Sequence, residues 1–325
     1  MPETYLHRCC ELFGQTVETL HGWRPDYAGL EKALEPVRLR KREFSYRDIE
    51  TIQNGRYWDF RQFWRFPGES DLEREVDFAE MSRLIQRLPL DEAQAIGRLH
   101  AAFKYIENVS VVLRFVNPAQ YGILSPPLEK LLEVRRGRNE VETYLSYLRD
   151  LRDARDHYGL PRAADADMAL WVLQERVLSS YSDHELMRQF RSDTWLLRRR
   201  AVNLLAELGG MAGTDDFLDL ARALVEANVS LAGALAGFEL ERRLRARLGA
   251  AERGLGLEAT LDALSRKAEP AEVEAWRRAA RARDLFLDAG VDSRQPTRRD
   301  VTEIIDEIER LKEGARRLPP GRSTS

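Results

Sequence analysis

The sequence predicts an all-α protein made of two helical domains. Three observations carry that expectation. Apolar residues recur at spacings of three and four along most of the chain, whereas the alternation that marks a strand is hard to find. Breaker residues cut the chain into helical lengths: Gly209-Gly210 suits a helix C-terminus, while Pro67-Gly68, Asn117-Pro118 and Pro126-Pro127 each restrict the residue before a proline. The 325 residues also amount to about two domains, since one takes roughly 100–200 residues. The boundary falls near 190–200. This gives a helical domain over 1–195, a second over 196–318, and a disordered polar tail over 319–325 that carries Pro319, Pro320, Gly321 and Ser323.

In chain order, helices are expected over 3–21, over 76–88 after the Pro67-Gly68 break, and over 91–116, which ends at Asn117-Pro118. The next restarts over 126–134 behind Ser125-Pro126-Pro127, followed by 139–157 with Tyr144 and Tyr147, then 165–178, and 183–208 up to the glycine pair. Over 215–248, Phe217, Leu220, Ala221, Leu224, Leu231, Leu235, Phe238 and Leu244 line one apolar stripe. Helices over 257–266 and 270–288 come next. The last, 298–317, repeats the stripe with Val301, Ile304, Ile305, Ile308 and Leu311, and Thr297 with Asp300 reads as its capping pair. Its other face alternates acids and bases, as a solvated surface does. No repeat of 20–50 residues is visible.

Composition excludes several classes. Hydrophobic residues make up 43 % and charged residues 32 %, enough for a core under a charged exterior. A net charge of −3 gives no bulk attraction to nucleic acid. Only six of the 51 basic residues are lysine. Arginine is the better phosphate ligand, but a GC-rich genome raises it too. Cys9 and Cys10 are adjacent, a poor disulfide geometry and no metal spacing. No run is long and apolar enough for a membrane helix, and charges interrupt Met1 to Leu20, so no signal-peptide core is expected and the location is read as cytoplasmic. No phosphate-binding glycine loop appears, and the five histidines show no metal spacing, so neither cofactor nor metal is expected.

In the C-terminal third, Gly237, Leu240, Glu241, Leu244 and Arg245 form the pattern G-x-x-L-E-x-x-L-R. Gly and Ala at 232–237 let a neighbouring helix approach, and Glu241 can pair with Arg245 one turn on. A shorter helix follows, then a third ending in Arg283-Asp284-Leu285-Phe286-Leu287-Asp288, then a polar loop and the capped last helix. Over roughly 120 residues this order resembles HEPN domains. The resemblance implies a helical bundle that forms a homodimer or docks a partner. Active HEPN ribonucleases cleave RNA without metal, with an arginine on phosphate and a histidine moving protons. Here Asp288 stands at the histidine position and Asp284 at the polar one. An aspartate is a weak base at neutral pH and repels phosphate. Arg283 and Asp288 therefore read either as a local ion pair or as a degenerate catalytic pair.

Upstream, an apolar helix ends at Asn117-Pro118, a short link runs through Tyr121, Gly122, Ile123 and Leu124, and a helix restarts after Ser125. This resembles part of the core of helix-hairpin-helix DNA glycosylases. In that family an aspartate opens the restarted helix and assists base excision. Ser125 stands at that position, and the glycine-rich hairpin that holds phosphate is missing, so a degenerate, non-excising relative is implied. Residues 36–66 interleave Arg38, Arg40, Lys41, Arg42, Arg47, Arg56, Arg61 and Arg65 with Phe44, Tyr57, Trp58, Trp64 and other aromatics. Rings that stack bases beside cations that hold phosphate suit single-stranded RNA or DNA. The candidate contacts are Arg38, Arg40, Lys41, Arg42, Tyr57, Trp58, Arg61 and Trp64. The competing reading makes the aromatics core and the arginines solvated. Asp165 and Asp167 could bind a cation, but with no third ligand near they read as acids that cap the helix, and His7 beside Cys9 lacks the third group a thiol nucleophile needs.

The function expected from sequence is therefore a non-catalytic, nucleic-acid-associated or partner-docking helical protein of the kind found in prokaryotic defence or toxin systems. The alternative is a metal-independent HEPN-type ribonuclease with a dimeric Arg283/Asp288 site.

Overall fold

A computed structural model describes residues 4–53, 76–88, 90–179, 186, 190, 193–208, 216–248, 257–287 and 297–317, with backbone alone for 177–179, 283–287 and 312–317. The described residues form fifteen α-helices and no strand, so the chain is all-α. It divides into two compact units, 1–190 and 191–325.

The first unit contains α1 (Tyr5–His21), α2 (Tyr27–Arg38), α3 (Tyr46–Gln53), α4 (Phe78–Arg87), α5 (Glu92–Phe103), α6 (Ile106–Val116), α7 (Pro126–Leu132), α8 (Glu140–Tyr158), α9 (Ala163–Val172) and a π-helical stretch, Leu173–Ser179. Local chemistry sets the ends. Asn139 caps α8 by accepting the Glu142 N–H at 2.9 Å, and Gly159 stops it in the left-handed conformation, φ 68°. The centre is α6 and α9. Nearly every residue of α6 is buried. In α9, Ala163, Ala164, Ala166 and Ala169 are fully buried, and their small side chains let α1 and α8 pack close.

Two elements in this unit differ from expectation. The helix expected over 91–116 breaks after Phe103, where Lys104 takes a left-handed φ of 68°. The 22–53 stretch, for which no helix is expected, holds α2 and α3, with Leu30, Leu34, Val37, Ile49 and Ile52 buried.

The second unit contains α10 (Thr194–Glu207), α11 (Phe217–Leu224), α12 (Val229–Leu248), α13 (Leu257–Ser265), α14 (Pro270–Leu287) and α15 (Arg298–Arg317). At its centre α12 touches all five others, and its buried Gly233 and Gly237 permit close approach. The single helix expected over 215–248 is two. The break falls at residues 225–228, where Asn228 caps α12 by accepting the Leu231 N–H at 3.0 Å. Glu241 and Arg245 pair at 2.5 Å, as their spacing predicts. The α15 cap forms as well: Asp300 accepts the Thr297 N–H at 2.7 Å and its hydroxyl at 2.6 Å. Val301, Ile304, Ile308 and Leu311 of α15 are buried, each stabilising by about 1.5–3 kcal/mol. Asp288 and the tail 319–325 lie outside the described residues, as does the side chain of Arg283.

Candidate functional site

The basic segment is only partly a free surface. Arg42 forks onto Asp48 at 2.7 and 2.5 Å, and the same carboxylate accepts the Ser45 N–H at 2.8 Å. Asp48 is buried, and its hydrogen bond stabilises the charged guanidinium. Arg42 thus braces the start of α3. Arg38 pairs with Glu35 at 2.7 Å in solvent. Arg40, at a left-handed φ of 57°, donates to the Gln86 carbonyl at 2.6 Å. Lys41 is exposed beside them. Tyr57, Trp58, Arg61 and Trp64 lie outside the described residues.

His7 is spent on the α1 cap, with Nδ1 3.2 Å from the Thr4 N–H and 3.0 Å from its hydroxyl. Cys9 is buried, and burial, reinforced by Asp165, pushes the Cys10 thiol up to about 11, so neither is an activated nucleophile. Among the described residues no group of three His, Cys, Asp or Glu is placed to hold a metal ion, and no helix is long and apolar enough to cross a membrane.

The structure instead brings together residues around the link between α6 and α7. This link is not helical, so its backbone polar groups need partners from elsewhere. Arg155 and Arg152 of α8 donate to the Ala119 and Gln120 carbonyls at 3.2 and 3.0 Å. Tyr144 and Tyr147 donate to the Gly122 and Ile123 carbonyls at 3.1 and 3.0 Å. Ser110 accepts the Leu124 N–H at 3.1 Å. Glycine at 122 allows this close approach, because a Cβ there would lie 2.4 Å from Leu151 Cδ2 and 3.0 Å from Asp167 Cβ. The strapped link therefore lies directly against Asp167 of α9.

Asp167 is not a cap, contrary to the sequence reading. It sits within α9, 5 % exposed, and Tyr147 donates to its Oδ1 at 2.7 Å. Burial pushes its carboxyl up from 3.8 to about 6, opposed by the positive field of Arg114 and by hydrogen bonds from Tyr147 and the Ile123 backbone. The single phenolic proton of Tyr147 has two acceptors, the carboxylate and the Ile123 carbonyl.

A cavity of about 50 Å³ opens on this carboxyl. Phe13, Tyr27, Ile123 and Leu128 form its buried wall, and half-buried Ser125, Met168 and Trp171 its rim. The rings are mutually braced: Phe13 lies 5.1 Å from Tyr27 and 5.5 Å from Trp171, centroid to centroid. Ser125 is the N-cap of α7, yet its hydroxyl makes no cap bond and has no hydrogen-bond partner. The reason is local: Pro126 and Pro127 have no N–H to give, and the Leu128 N–H goes to the Ser125 carbonyl at 3.0 Å instead. Behind the wall lies an ion cluster. Buried Arg114 donates to Glu31 at 2.6 Å, while Arg162 holds the same Glu31 and Asp165, each at 2.6 Å. No guanidinium, ammonium or imidazole among the described residues lies within ion-pair distance of Asp167. The π-helical stretch begins two residues after Trp171, and such turns concentrate at functional sites.

Sequence reasoning singled out Ser125 but missed Phe13, Tyr27 and Trp171, and misassigned Asp167. One signal was present: an acid inside the alanine-rich, otherwise apolar run from Ala166 to Val172. No protein-family model, curated protein or solved structure matches this chain.

Proposed function

We propose that the protein is a non-catalytic binding protein whose first unit holds a ligand at the Asp167 cavity and whose second unit docks a partner or a second copy. The observation that carries this is a buried carboxyl without a counter-ion, facing a cavity with an unbonded hydroxyl. Burying a charge unpaired is costly, so its retention calls for a use. The lining holds the Ser125 hydroxyl, the Tyr27 phenol and one carboxyl but no imidazole or ammonium, which favours binding over covalent chemistry. For the second unit, a central long α12 followed by α13, α14 and a capped α15 supports the HEPN-like reading as a helical interaction module.

Met168 on the rim makes the test direct. With methyl-13C methionine in the full chain, the Met168 signal, assigned with Met168→Leu, is followed against solutes of one to four heavy atoms. Saturable shifts that disappear in Leu128→Phe, which fills the cavity, are expected. A Met168 signal unmoved by every solute sinks the reading.

A second reading, association with single-stranded nucleic acid, is favoured by the exposed turn of Arg38, Arg40 and Lys41. Its mark is salt dependence, each phosphate contact adding about 0.7 to the slope of log affinity against log salt. Arg40→Ala with Lys41→Ala is expected to lower that slope by about 1.4. Binding without salt dependence refutes it.

A further inference from the structure

Resting on the cavity reading above, we propose that this cavity receives the charged head of an alkylammonium ion, with Asp167 as counter-ion, Ser125 as hydrogen-bond acceptor and Phe13, Tyr27 and Trp171 as aromatic walls.

Three arguments converge. The first is charge. The cluster holds three carboxylates, Glu31, Asp165 and Asp167, and two guanidiniums, Arg114 and Arg162. Both guanidiniums are engaged by Glu31 and Asp165, so one negative charge is left over at Asp167, and a monovalent cation balances it. The second is the wall. Aromatic faces attract cations, most strongly in desolvated sites, and aromatic cages recur around ammonium ligands. A calcium or magnesium ion would need six or more oxygens, and this lining offers two oxygen-bearing groups apart from the Tyr27 phenol. The third is size. A dry cavity of about 150 Å³ accommodates benzene, so one of about 50 Å³ excludes a ring and suits an ammonium or methylammonium head on a slim stem. That head has two sources, a free small amine or the lysine side chain of a partner.

Binding should also follow the ionisation of Asp167. Charged and titratable groups lie around it on α1, α2, α6, α8 and the start of α9. Arg114 on α6 and Arg162 before α9 remain cations. Burial pushes Tyr27 on α2, Tyr144 and Tyr147 on α8 and Cys10 on α1 well above this range. Glu31 and Asp165 pair with these guanidiniums at 2.6 Å. His21, whose ring is 6.3 Å from that of Trp171, is controlled by His21→Gln.

The experiment titrates the methionine-labelled full chain with methylammonium chloride, methanol, tetramethylammonium chloride and Nα-acetyl-lysine methylamide at constant ionic strength. Methylammonium is expected to shift Met168 saturably. Methanol and the oversized tetramethylammonium are expected to leave it unmoved. Asp167→Asn should weaken methylammonium at least tenfold while the other methionine signals stay in place. Affinity should fall about tenfold from pH 8 to pH 5, as a carboxyl titrating near 6 requires, in wild type and His21→Gln alike. The lysine compound binding as well as methylammonium supports the partner source, and its exclusion supports the free amine. Methanol acting like methylammonium overturns the ammonium proposal and leaves the cavity reading standing. Unchanged affinity in Asp167→Asn also overturns it. No shift with any solute overturns both, and leaves the cavity to water.

Discussion

Asp167→Asn should make this protein more stable at neutral pH, an unusual outcome for a substitution at a buried hydrogen-bonded position. Lifting a carboxyl from 3.8 to about 6 means that folding disfavours its charged form. Between these values the folded chain keeps a proton that the unfolded chain has released. Stability therefore falls as pH rises through that window and is level above it. Each pKa unit is worth about 1.4 kcal/mol, so holding Asp167 ionised at pH 7 costs about 3 kcal/mol. Asparagine has the same shape, and its amide oxygen has two lone pairs for Tyr147 and the Ile123 N–H. It removes the charge and keeps the bonds. For a 190-residue unit, about 3 kcal/mol corresponds to roughly 6–12 °C in Tm. Calorimetry of both proteins at half-unit steps from pH 3.5 to 8 should show curves that coincide below pH 4 and separate as pH rises, the variant melting higher. If Asp167→Asn melts lower at pH 7, the carboxylate is a stabilising element and the counter-ion argument is wrong.

Other changes probe the same framework. Tyr147→Phe removes the donor to a buried carboxylate and should cost about 1.5–3 kcal/mol by urea titration, while Tyr144→Phe, losing one bond to a neutral carbonyl, should cost about 0.5–1.5 kcal/mol. Equal costs would mean that Asp167 does not use the Tyr147 proton. Gly122→Ala should destabilise by about 1–3 kcal/mol because its Cβ meets Leu151 and Asp167; a neutral result would mean that the link can lift away. In the second unit, Thr297→Ala should cost about 1 kcal/mol through loss of the α15 cap, read in that unit's own unfolding transition.

How much was legible depends on whether the deciding interactions are local. The α15 cap, the Glu241–Arg245 pair and most helix spans follow from residues three or four apart, and periodicity shows them. The breaks at Lys104 and Asn228 were hidden because apolar spacing runs through both. The role of Arg42 could not be read, since its partner Asp48 looks like any acid in a charged segment until both lie on one turn. Asp167 is the clearest case. Whether an acid in a short helix caps it or enters the core depends on Tyr147, 20 residues earlier, and on a link that Gly122 lets approach. The aromatic walls come from α1, α2 and α9, and only tertiary packing brings these together.

The carboxyl 13C titration of Asp167 in the intact protein, assigned by Asp167→Asn, tests the central claim most directly. A midpoint near 6 is the result expected for a buried carboxyl without a counter-ion. A midpoint at or below the ordinary 3.8 would contradict it, because a cation or bulk water would then already reach the carboxylate.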